Sequence, residues 1–187
     1  MNCRPLLLGC LGLTLVTAVS CTTPAPKQAA DDAKPATMTP LQRGEYIATV
    51  GGCNDCHTPG TFYGAPDFKR QLSGSELGWR GPWGVSYPSN LTPDIETGLG
   101  SWTNVEIERA LRSGVKKDGT PILPPMPWPN TARLTPEDMS SLIAYLKSLP
   151  PVSHKVPAPL PPDGVAKGAT FQLPAPPEWD APRTQAQ

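Results

Sequence analysis

The sequence predicts a small all-α domain of about three main helices joined by long loops, and three observations carry that expectation. Three stretches, near residues 39–51, 103–114 and 135–150, combine a helix start signal with apolar residues at helical spacing. No stretch of useful length alternates apolar and polar residues as a half-buried strand does. The chain also holds 26 prolines and 17 glycines in 187 residues, against average usages of about 5% and 7%, which assigns much of the remainder to turns and extended loop.

Residues 1–20 read as a secretory signal peptide. A single positive charge at Arg4 precedes an apolar run from Leu6 to Val19, the length of a signal core and short of the roughly 18 or more apolar residues of a membrane span. The "TAVSC" that follows is similar to a bacterial lipobox, in which Cys21 is lipidated and becomes the mature N-terminus. Ala18 stands where that motif more often has leucine, and ordinary cleavage with an unmodified Cys21 is the alternative. "LLGC" at Cys10 fits the motif by letter, but it would leave only Leu6 to Leu8 as a signal core. Thr22, where an aspartate would favour inner-membrane retention, points toward the outer membrane. Residues 21–38 are then a lipidated N-terminus and a small, polar, flexible tether, "TTPAPKQAADDAKPATM".

The first helix opens at Thr39, with Pro40 in the first turn and Gln42 completing a capping box. It runs through Leu41, Gly44, Ile47 and Ala48 to Gly51 and Gly52. The second opens with Thr103 and Glu106, places Ile107, Ala110 and Leu111 on one face and stops at Gly114. The third opens at Thr135, Pro136 and Asp138 and carries Met139, Leu142, Ile143, Leu146 and Leu149 until Pro150 and Pro151 end it. Loops are expected over 58–102 and 115–134. The domain spans 39–152. A proline-rich tail follows over 153–187, either without fixed structure or laid on the domain surface through Phe171, Leu173 and Trp179. Formal net charge is zero, so nothing favours a nucleic-acid partner.

Three short helices make a thin core, and the cysteines suggest what fills it. Of five, Cys3 and Cys10 lie in the signal and Cys21 at its end, leaving Cys53 and Cys56 for the domain. They occur in "CNDCH", the spacing of c-type haem attachment: two thiols bond one edge of the porphyrin, and the next residue, His57, lies under the iron. A thioredoxin-like dithiol needs a βαβ context that is not visible here. A structural zinc needs four ligands, and beyond Cys53, Cys56 and His57 only His154 is left. A plain disulfide remains the other alternative.

A sixth ligand would decide between carrying electrons and binding substrate. The candidates are Met38, Met126, Met139 and His154. Met139 falls on the apolar face of the third helix, Met38 ends the tether and His154 follows Pro-Pro. Met126 stands in "GTPILPPMPWPN", a proline-stiffened loop able to hold a thioether in place at low entropic cost; its other reading is apolar filler.

"GEYIATVGGCNDCHT", "YPSNLTPDIETGLGSWTNVEIERALRSGVKKDGTPI" and "PPMPWPNTARLTPEDMSSLIAYLKSLPPV" together resemble the small class I c-type cytochromes. Among these they resemble the cytochrome subunits or partners of periplasmic alcohol and sugar-acid dehydrogenases. The resemblance covers residues 39 to about 152. It implies the small cytochrome c fold, with long loops around one covalent haem c. It also implies Met126 as distal ligand, first and last helices crossing at Gly44 against Leu142 or Tyr145, and Asn90 and Thr92 in the loop near the haem propionates. Dehydrogenase subunits of this type usually carry three haem modules, whereas one C-x-x-C-H occurs here, which suits a single tethered shuttle.

The expected function is therefore a periplasm-facing, lipid-anchored mono-haem cytochrome, not an enzyme. It would pass single electrons between redox partner proteins (a dehydrogenase, an oxidase or another cytochrome), with His57 and Met126 closing the iron. Arg112, Lys116 and Lys117 are read either as a docking surface or as a solvated face. A haem peroxidase or ligand-binding haem sensor, with Met126 labile or not a ligand, is the first alternative; a structural lipoprotein with a Cys53–Cys56 disulfide is the second.

Overall fold

The computed structural model describes residues 37–174. The signal, Cys21, most of the tether and the last thirteen residues with Trp179 lie outside the described residues. Within them are five helices rather than three: α1 Pro40–Val50, α2 Cys53–His57, α3 Asn104–Ser113, α4 Trp128–Thr131 and α5 Pro136–Ser148. The helical domain also carries short strands that the all-α expectation did not include. β1 Gly78–Gly81, β2 Gly84–Ser86 and β3 Thr170–Gln172 form a small sheet in the order β2-β1-β3, with β1 antiparallel to β2 and parallel to β3. Strands of three or four residues are too short to display an alternation.

The three long helices begin where their caps place them. Thr39 Oγ1 accepts from the Gln42 N–H while Gln42 Oε1 accepts from the Thr39 N–H, Thr103 and Glu106 do the same for α3, and Thr135 Oγ1 accepts from the Asp138 N–H of α5. Helices α1 and α5 bury Ile47, Ala48, Leu142, Tyr145 and Leu146 with Leu72 in one cluster, against which Cys53 packs. Ile107, Met139 and Ile143 form a second cluster between α3 and α5. Burying each large side chain stabilises the fold by about 1.5–3 kcal/mol. Leu41, placed by its spacing on the buried face, is instead about half exposed.

The chain after α5 is laid on the domain. Leu160 exchanges two backbone hydrogen bonds with Val85, and Phe171 stacks on Trp79 with ring centroids 5.0 Å apart. The Leu173 N–H donates to the Arg80 carbonyl. Its many prolines are compatible with this because β3 is an edge strand.

Candidate functional site

Gly52 takes φ +71°, a left-handed conformation that suits glycine, and turns the chain out of α1 into α2. That single helical turn is the "CNDCH" segment. Cys53 and Cys56, three residues apart, share one face of it, both half-buried and both free thiols. The two residues between them include a structural anchor: Asn54 Oδ1 accepts from the Thr58 hydroxyl at 3.0 Å and from Gln71 Nε2 at 3.1 Å. Thr58 Oγ1 in turn accepts from the Leu72 N–H, and the Gly74 N–H donates to the His57 carbonyl. The motif is thereby tied to the loop that carries core residue Leu72.

Burial pushes the Cys53 thiol up to about 11 and raises Cys56 as well, with Asp55 adding to both shifts. A redox dithiol or thiolate metal site works by the opposite shift, so these shifts do not favour either alternative. Among the described residues no group of three or more His, Cys, Asp or Glu could hold a metal ion. The zinc alternative's fourth ligand, His154, is engaged elsewhere: its Nε2 lies 2.7 Å from Glu76 Oε1 and its Nδ1 2.8 Å from the Ser73 carbonyl.

His57 is held by its Nδ1, 2.7 Å from the Ser89 carbonyl oxygen. This assigns the proton to Nδ1 and leaves the Nε2 lone pair free to ligate. Burial lowers the His57 pKa, partly offset by the Ser89 carbonyl, so the ring is kept neutral as a ligand must be. Ser89 was not legible as a functional residue, because it acts through a carbonyl that every residue possesses.

Met126 is half-buried at the end of the Pro-rich loop, just before α4. The loop is fastened at three points. Ser86 Oγ donates to the Pro124 carbonyl at 2.5 Å, the Ile122 N–H donates to the Gly114 carbonyl at 2.7 Å, and the Trp128 N–H donates to Met126's own carbonyl. Of the other candidates for the sixth position, Met139 is buried in the second core cluster, Met38 is half exposed and His154 is bound as described. The structure therefore brings His57 and the Met126 loop to the two ends of one four-residue segment, Ser86–Ser89.

This donor set fits a covalently held haem: two free thiols on one helical face, an imidazole fixed with Nε2 open, and a thioether on a pinned loop. Trp83, in the turn leading into β2, adds a buried Nε1 with no hydrogen-bond partner among the described residues. A buried donor left unpaired is costly, and a haem carboxylate is an acceptor of the right chemistry. Asn90 and Thr92 are buried and bonded to Val152 of the chain that follows α5. At the Gly44 crossing the nearest groups are Tyr145 Cβ and the Ser141 backbone. Arg112 proves structural: it pairs with Glu108 at 2.7 Å and donates to the Ala132 and Leu134 carbonyls. Lys117 Nζ donates to the Ser101 carbonyl.

The family model for cytochrome c matches residues 41–150. Among relatives, the cytochrome c subunit of a quinone alcohol dehydrogenase from Gluconobacter oxydans is 37% identical over 120 residues, covering 64% of this chain and 23% of that subunit. The gluconate 2-dehydrogenase cytochrome c subunit of Pantoea cypripedii is 37% identical, covering 56% of this chain and 22% of its own length. A dihaem c-type cytochrome of Cereibacter sphaeroides is 34% identical, with 58% and 36% covered. The chain thus spans about a fifth of the dehydrogenase subunits it resembles. With a matched domain that contains the thiol pair, the oriented imidazole and the pinned methionine loop, the chain belongs to the cytochrome c family, whose domain binds haem c covalently and serves electron transfer.

Proposed function

We propose that this chain is a mono-haem electron carrier facing the periplasm and anchored to the membrane, outer rather than inner, by lipid at Cys21. In this reading Cys53 and Cys56 would hold one haem c covalently, and His57 and Met126 would ligate its iron. When bound, that haem supplies one-electron exchange between ferrous and ferric iron, and methionine ligation raises its potential relative to two nitrogen ligands. The chain's own residues do the rest. Ser89 holds the His57 ring with Nε2 outward, Ser86 holds the Met126 loop through Pro124, and the α1–α5 core keeps water from the Cys53 side. With His57 and Met126 both bound to it, the haem would have no open position for substrate and would supply electron exchange rather than substrate chemistry.

The observation that carries the reading is that one short segment, Ser86–Ser89, fastens both the histidine and the methionine loop. The relatives named as dehydrogenase cytochrome subunits support a dehydrogenase as electron donor, met through a small and transient interface. Another cytochrome or an oxidase would then be the acceptor. The full chain, produced with haem-attachment machinery, should stain for covalent haem after denaturing electrophoresis. Its mature mass should correspond to one haem and a diacylglycerol-modified Cys21. Cys53→Ser and Cys56→Ser together should abolish the stain; a stain that persists without both thiols, or a wild type that never stains, overturns the reading.

A further inference from the structure

His57 is aimed by a carbonyl, and a carbonyl is only as well fixed as the chain that carries it. Ser89 itself is exposed. The next residue, Asn90, is 2% exposed and commits its whole amide. Its Nδ2 donates to the Val152 carbonyl at 2.7 Å and to Thr97 Oγ1 at 3.0 Å. Its Oδ1 accepts from the Thr92 N–H at 2.9 Å and from the Thr92 hydroxyl at 2.7 Å. Two donors and two lone pairs are all used, so the side chain has one orientation that satisfies it. The partners close a ring of bonds: Thr92 Oγ1 accepts from the Val152 N–H, and Thr97 Oγ1 accepts from the His154 N–H. The residues just after α5 are in this way stitched to the loop that begins at Ser89.

We propose that Asn90 is a positioning residue for His57, fixing the Ser89 carbonyl on Nδ1 by locking its loop to the Val152–His154 strap. The inference rests on the haem reading above. A carbonyl that accepts the Nδ1 proton makes Nε2 a stronger donor and favours ferric iron. Loosening that bond raises the midpoint potential. A purely structural Asn90 would lower the melting temperature and leave the iron untouched.

The test compares haem-loaded Asn90→Leu, Asn90→Ser and Thr92→Val with wild type and with Met139→Ala, which loosens the core away from Ser89. Readouts are melting temperature, midpoint potential, and exchange of the His57 Nδ1 proton by NMR in the ferrous protein. Asn90→Leu should raise the potential and speed that exchange about tenfold, as expected for the loss of roughly one net hydrogen bond. Thr92→Val should move both readouts less and in the same direction, and it carries the test if Asn90→Leu does not fold. Met139→Ala should lower the melting temperature alone. Asn90 and Thr92 variants that melt earlier with potential and exchange unchanged overturn the proposal, as does a Met139→Ala that shifts them equally. Haem staining of the wild type separates the two levels: an unstained wild type sinks the haem reading and this inference with it, whereas a stained wild type with unmoved Asn90 variants sinks the positioning alone.

Discussion

Gly44 of α1 meets Tyr145 of α5 so closely that a Cβ added at position 44 would lie 2.6 Å from Tyr145 Cβ, and closer still to the Ser141 carbonyl oxygen. Neither obstacle is the end of a flexible side chain. Gly44→Ala must therefore push the two longest helices apart. The variant should be destabilised by about 1–3 kcal/mol, despite the gain of up to about 1 kcal/mol in helix propensity. Denaturant unfolding of the haem-loaded protein measures this, and a variant as stable as the parent would mean the helices are not in such contact.

The same helices are joined at their first turns by Arg43, whose Nε and Nη2 lie 2.8 and 3.2 Å from the two Asp138 carboxylate oxygens. The hydrogen bond from Arg43 and then its charge hold the Asp138 pKa below the usual carboxylate range. A carboxylate with a depressed folded pKa takes up its proton first in the unfolded state. Its contribution is complete above the unfolded pKa of about 4 and is lost as pH falls through the lower folded value. Asp138→Asn should therefore flatten the acid limb of the stability profile below about pH 4 and leave the curve at higher pH parallel to wild type. Both partners are solvent-accessible, so the difference should also shrink with added salt.

Gly114 closes α3 with φ +67°, and a Cβ there would lie 2.6 Å from the Trp128 indole ring. The same glycine's carbonyl receives the Ile122 N–H. Gly114 thus meets the segment around Met126 twice, by a hydrogen bond from Ile122 and by close contact with the Trp128 ring. Gly114→Ala would cost about 1–2 kcal/mol for the left-handed backbone and would displace Trp128 besides. The expected signature is local: the absorption band of iron–methionine ligation should disappear on heating well before the far-ultraviolet helix signal does. Simultaneous loss of both, at the wild-type temperature, would contradict this description of the loop.

How far the sequence could be read follows from how each element announces itself. Thr39, Thr103 and Thr135 place α1, α3 and α5 because a cap is a side-chain signal at a fixed offset. Helix α2 is five residues long and α4 four, too short for a periodicity, and α4's proline and asparagine read as loop. The strands "GWRG", "GVS" and "TFQ" are built largely of residues that prefer turns or need a partner across the sheet. The tail's prolines ruled out helix and central strand, and Phe171 and Leu173 were legible as candidate surface contacts, whereas the pairing of Leu160 with Val85 and the edge strand at Thr170–Gln172 were not. At the site, Cys53, Cys56 and His57 were legible because their spacing is local. The Ser89 carbonyl and the Ser86–Pro124 bond were not, since backbone acceptors leave no mark in a sequence. The structural bonds of Arg112 were not legible either, because its partners are Glu108 on α3 itself and two carbonyls on the loop before α5.

The central claim is that His57 and Met126 together close the iron. Carbon monoxide titration of the fully reduced, haem-loaded chain, run beside Met126→Ala, tests it most directly. The account predicts no binding by the wild type at neutral pH and ready binding by Met126→Ala, in which one ligand is missing. Ready binding of carbon monoxide by the wild type, or indifference of both proteins to the substitution, would contradict it.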